Sequence, residues 1–127
     1  MKILILALAL ALSTSANAFC SKLSEQDRDL FIASNIAIGA DWQTTRDMSR
    51  RLNEGYREIG PLAKNIIGSE PTTTRVDNYF AVRFLVNYYV VCELDDTRYK
   101  NTYLWATTLS HGYAAASNYR IGLRIKF

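Results

Sequence analysis

The stretch VDNYFAVRFLVNYYVVCEL, Val76 to Leu94, decides the fold. Valine, tyrosine and phenylalanine dominate it, and that composition suits a strand. Its length argues the other way. It runs for 19 residues without a turn residue, and a usual strand has about 5–6. Arg83 and Asn87 stand four apart, so a helix gathers them into one polar stripe. The helical reading accounts for both facts and predicts a helix over residues 73–94, capped by Thr72 or Thr73. It also turns Arg83 and Asn87 inward or to a wet boundary, with Arg83 paired to an acid such as Asp41 or Glu93.

On the N-terminal side, Ser69-Glu70-Pro71 reads as a loop. Residues 62–67 form a short turn of helix ended by Gly68, and Gly60-Pro61 breaks the chain. Ser24 followed by Glu25, Gln26 and Asp27 is an N-cap with acids in the first turn. Leu23, Leu30, Phe31, Ile38 and Trp42 then recur at helical spacing. They predict a helix over 25–53, stopped by Gly55. Its later part, Arg46 to Glu54, is charged and is expected to be solvated or to lie at a headgroup surface. On the C-terminal side, Asp95-Asp96-Thr97 turns the chain into a third helix over 97–117. Residues 119–127 alternate: Tyr119, Ile121, Leu123, Ile125 and Phe127 against Arg120, Gly122, Arg124 and Lys126. A period of two predicts an extended segment. A lone strand needs a pairing partner, so self-association through 119–127 is expected.

The first 18 residues differ in kind. Lys2 precedes an unbroken Ile, Leu and Ala run from Ile3 to Leu12, and Ala16-Asn17-Ala18 follows. This is the layout of a secretory signal peptide cleaved between Ala18 and Phe19. The apolar run is too short to span a bilayer, which takes about 20 residues. The expected domains are a leader, 1–18, and one small helical domain, 19–127. The domain keeps 14 basic and 12 acidic residues, because Lys2 is the one charge of the leader. A formal +2 excludes a strongly cationic nucleic-acid binder. Export places Cys20 and Cys92 in an oxidising compartment. A bridge between them and two separate thiols are both compatible with the sequence.

Ala40-Asp41-Trp42 with Thr44-Thr45-Arg46, then Tyr56, Glu58, Ile66-Ile67-Gly68, Pro71, Arg75-Val76 and Tyr79-Phe80, form a pattern. Asn118, Gly122, Lys126 and Phe127 close it. The pattern resembles that of a group of small exported proteins of proteobacteria and their phages that lack an assigned function. This chain departs from the group's N-P dipeptide, where it has Lys64-Asn65. The resemblance implies export and a helical core, and it brings no activity with it.

Asp41, Glu58 and His111 are the candidates for a polar site. If the helices pack as a bundle, Asp41 and His111 face each other across the core. A carboxylate with an imidazole can do acid–base work or bind a metal. One histidine and no Cys-x-x-Cys spacing argue against protein-ligated zinc. No phosphate loop or nucleophile elbow is present, so no catalytic residue, cofactor or metal is predicted. Tyr79, Phe80, Phe84, Tyr88, Tyr89, Tyr99, Tyr103, Trp105 and Tyr113 suit either a core or a membrane–water boundary.

The expected function is therefore that of a non-enzymatic cell-envelope protein, in the periplasm or against a membrane. It would act through contacts with lipid or with an envelope protein. Two alternatives are an outer-membrane or surface β protein, with strands over 79–92, 98–109 and the tail to Phe127, and a small exported enzyme built on Asp41, Glu58 and His111.

Overall fold

A computed structural model describes residues 23–94 and 97–126. The leader, the Ala18–Phe19 junction and Cys20 lie outside the described residues. Among those described there are four α-helices and no strand. They are α1 Glu25–Arg50, α2 Pro61–Ile67, α3 Thr73–Glu93 and α4 Thr97–Arg120, with a 3-10 turn at Leu52–Glu54. The stretch 76–93 is helical, with Leu94 as its cap, and so is 98–109. The β reading is overturned: length without turn residues outweighs β propensity here. The short segment after Pro61 is a full fourth helix.

The helix ends follow local chemistry. Ser24 Oγ accepts from the Asp27 amide at 3.1 Å. Thr72, rather than Thr73, caps α3 through the Arg75 amide. Gly55 and Gly68 take φ of 90° and 88°, a backbone region that side-chain-bearing residues avoid.

α1 is the central helix. α4 runs parallel to it, because Asp41 meets His111, Thr44 meets Asn118 and Asp47 meets Arg124 in step. α3 runs antiparallel to α1, through Ser49 with Thr73, Trp42 with Asp77 and Ser34 with Asn87. Two apolar layers fill the bundle. Ile38, Trp42, Ile67, Val76, Phe80 and Phe84 form one, and Phe31, Val91 and Leu104 the other. Asn87 is fully buried between α3 and α1, where its Nδ2 donates to Ser34 Oγ at 2.9 Å and to Asn35 Oδ1 at 3.1 Å. The inward placement expected of Asn87 is therefore met. Cys92, near the end of α3, is disulfide-bonded.

α1 ends at Arg50, short of the expected 53, and α4 runs to Arg120, past the expected 117; two further differences are larger. Arg46, Asp47 and Met48 were expected in solvent or at a headgroup surface, yet all three are buried. Arg46 Nε lies 2.9 Å from Asp77 Oδ1. The approach is off the N–H axis, so it is a charge contact and not a hydrogen bond. Asp77 also accepts from Trp42 Nε1 at 2.9 Å. Asp47 is covered by the C-terminal segment.

That segment is the second difference. Tyr119 and Arg120 complete α4, and residues 121–126 cross back onto α1. No single apolar face forms. Leu123 is fully buried, while Tyr119, Ile121 and Ile125 stay exposed. The Arg124 amide donates to Asp47 Oδ2 at 2.9 Å, and Lys126 Nζ lies 2.9 Å from Asp47 Oδ1. Arg51 donates to the Gly122 carbonyl at 3.0 Å and Tyr56 to the Ile121 carbonyl at 3.0 Å. These backbone groups of Ile121, Gly122 and Arg124 find partners inside the chain.

Candidate functional site

Asp41 on α1, His111 on α4 and Glu58 in the α1–α2 connection come from distant parts of the chain. All three line one cleft of about 460 Å³. The cleft lies between α1, α3, α4 and the segment 58–63. Asp41 and Thr45 stand one turn apart on α1, and Tyr79, Phe80 and Arg83 come from α3. Its apolar walls are Ile59, Pro61, Leu62, Ala63, Phe80, Tyr113 and Ala114.

The floor of the cleft is a chain of paired polar groups. His111 Nδ1 lies 2.7 Å from Asp41 Oδ2, and Thr45 Oγ1 donates to Asp41 Oδ1 at 3.3 Å. His111 Nε2 lies 3.1 Å from an Arg83 terminal nitrogen. A guanidinium only donates, so Nε2 is the acceptor. Nδ1 therefore carries the proton and donates it to Asp41. This assigns the neutral Nδ1–H tautomer from the partners on each side. The Phe80 ring stands 6.2 Å from the imidazole in an edge-on arrangement. Arg83 reaches Asp41 through the imidazole and not directly, and Glu93 takes no part.

Glu58 and Tyr79 are shaped by burial. Glu58 Oε1 accepts from the Gly60 amide at 2.7 Å. A Cβ at position 60 would stand 2.8 Å from that oxygen, so a side chain there would push the Glu58 carboxylate aside. Burial raises the Glu58 carboxyl above its ordinary range. The backbone bond from Gly60 opposes this and the Asp41 charge adds to it. Burial also raises the Tyr79 phenol, with Arg83 pulling it back. Tyr79 is therefore a neutral donor at physiological pH.

A stability prediction follows from the Glu58 shift. An acid with a raised folded pKa binds its proton more tightly in the folded state. The folded state is then favoured at low pH and loses that advantage as pH rises through the folded pKa. Glu58→Gln keeps an acceptor for Gly60 and removes the buried charge. It is expected to be more stable than the parent at pH 7, with the difference closing on acidification to pH 3. Thermal melts at both pH values check this. A variant less stable at pH 7 would sink the argument.

The sequence brought out Asp41, Glu58, His111 and Arg83, and the structure gathers all four. It did not bring out Thr45, Tyr79 or the walls Ile59, Leu62 and Tyr113 as parts of the site. Thr45 had one local signal, its i+4 spacing from Asp41. No group of three potential metal ligands occurs among the described residues. No protein-family profile, curated protein or solved structure matches the chain.

Proposed function

We propose that the chain is an exported, non-enzymatic binding protein of the cell envelope, whose cleft receives a small apolar group with a neutral hydrogen-bonding end. The observation that carries this reading is the mutual pairing of the floor. The His111 lone pair that a general base would use accepts from Arg83, and Asp41 is engaged by His111 and Thr45. Such groups hold the shape of a site, and the imidazole offers no free lone pair to a substrate. The walls supply apolar contact, Tyr79 supplies a donor, and the volume falls in the range of small-molecule sites, about 300–1,000 Å³. The leader supports export: Lys2, the run from Ile3 to Leu12, and Ala16-Asn17-Ala18.

1-Naphthol, a fused ring with one hydroxyl, is a suitable probe. On titration, amide shifts in an NMR spectrum are expected to move at Ile59, Ala63, Tyr113 and Ala114. Ala114→Trp fills the cleft and is expected to abolish them. Shifts confined to another surface, or unchanged binding in the filled variant, would refute the cleft as the site.

A further inference from the structure

No helix among the described residues is long and apolar enough to cross a membrane. One face of the bundle is nevertheless strongly apolar. Val82, Leu85, Val86 and Tyr89 lie on the outer side of α3, and Leu62 and Ile66 lie on α2; all six are exposed. α3 and α2 border a shallow groove of about 650 Å³, lined by Leu62, Ile66, Val82 and Val86. It is distinct from the cleft, although Leu62, Tyr79 and Arg83 border both.

The charges lining the groove have one sign. The groove's charged lining residues are Arg75 and Arg83. Arg75 is exposed and has no ion pair among the described residues. From Pro61 to Glu93 the sequence has three acids, Glu70, Asp77 and Glu93, the last at the far end of α3 and outside the groove lining. Glu70 is paired with Arg57 at 2.7 Å, and Asp77 is turned to Arg46 and Trp42 on α1. An apolar face with unneutralised cations and an amphipathic tyrosine fits the boundary of an anionic bilayer. A second copy of the chain fits poorly. A two-fold pairing sets the same patch against itself and brings Arg75 and Arg83 onto a surface of the same sign.

We infer that the α2–α3 face docks on the surface of an anionic phospholipid bilayer, with Val82, Leu85, Val86 and Tyr89 at the acyl boundary and Arg75 on the headgroups. It uses the export reading only for its place of action. Purified vesicles test the surface without testing export or the cleft. The experiment is flotation of the purified protein with vesicles of phosphatidylglycerol and phosphatidylcholine in equal parts, against phosphatidylcholine alone, at low and high salt.

The parent is expected to float with the anionic vesicles and to stay behind with the neutral ones, and salt weakens its binding. Arg75→Glu, a charge reversal at an exposed site, is expected to weaken partitioning about tenfold. Val82→Asp removes it. Both keep the parent's helical circular dichroism, since neither side chain is buried. Four outcomes overturn the inference. The parent fails to float, or it floats equally with neutral vesicles. Soluble glycerol 3-phosphate competes fully, which would mean a headgroup pocket and not a surface. Or the parent is a dimer in sedimentation that Val82→Asp splits, which would mean a self-interface.

Discussion

Asp77→Ala is expected to destabilise the protein by about 4 kcal/mol, because it leaves a guanidinium buried without its counter-charge. The Arg46 side chain is 9% exposed and its nearest acid is Asp77, 2.9 Å away. The same carboxylate accepts the Trp42 indole N–H at 2.9 Å, and Trp42 is almost wholly buried. Alanine thus orphans one charge and one donor in the layer where α1 meets α3. For a domain of this size the loss corresponds to a fall in Tm of more than about 15 °C. Urea unfolding followed by circular dichroism measures it. Arg46→Met together with Asp77→Leu recovers most of the loss, since an apolar pair of similar volume leaves no buried charge. A cost below about 1 kcal/mol for Asp77→Ala would mean that Arg46 finds water or another partner, and the proposed role of the pair would fall.

Asp47→Ala is expected to cost about 3 kcal/mol, the sum of charge-assisted hydrogen bonds and the lost burial of Leu123. Asp47 holds the C-terminal segment through the Arg124 amide and Lys126, and it also meets an Arg51 terminal nitrogen at 3.4 Å. Burial by itself would raise its carboxyl. Lys126, the Arg124 amide and Arg51 more than reverse that and hold it below the usual carboxylate range. The sign of the pH dependence follows. A depressed folded pKa gives stability that is complete above the unfolded carboxylate pKa, about 3.9, and is lost as pH falls through the folded value. The parent therefore loses stability on acidification below about pH 4, and the variant shows a flatter acid limb. Carboxypeptidase digestion provides a second readout, since the variant is expected to lose its last residues faster. An unchanged acid limb would show that the segment is held by Leu123 alone.

These two acids also mark the limit of what the sequence made legible. The helices were readable because their signals are local. Ser24 and Thr72 cap them, Gly55 and Gly68 end them, and a 19-residue run without a turn is too long for a strand. The meeting of Asp41 with His111 was readable as a consequence of bundling two polar residues on apolar helices. The burial of Arg46 and Asp47 was not. A charged stretch at a helix end reads as solvated unless one knows that Asp77 lies across from it and that the chain end returns to it. The alternation of residues 119–127 misled for the same reason. Pairing with Asp47 depends on an acid 77 positions earlier, and the continuation of α4 through Tyr119 and Arg120 breaks the pattern before it can become a face.

The parallel course of α1 and α4 sets a timetable. The most extensive interface of the fold joins these two helices, and its central contact, Asp41 with His111, spans 70 positions. α1 is made first, yet its principal partner is made last. At a synthesis rate of about 5–20 residues per second, roughly 4–15 s pass between the emergence of Asp47 and that of Arg124. α3 can lie against α1 in that interval, but it leaves the floor of the cleft without its imidazole and Asp47 without its cover. Contacts this remote also close the longest loops, which slows folding relative to bundles of sequential neighbours. A chain that has emerged as far as Glu93 is therefore an open helical pair with an exposed carboxylate. The cleft exists only after His111 has been added, and the lock on α1 only after Arg124.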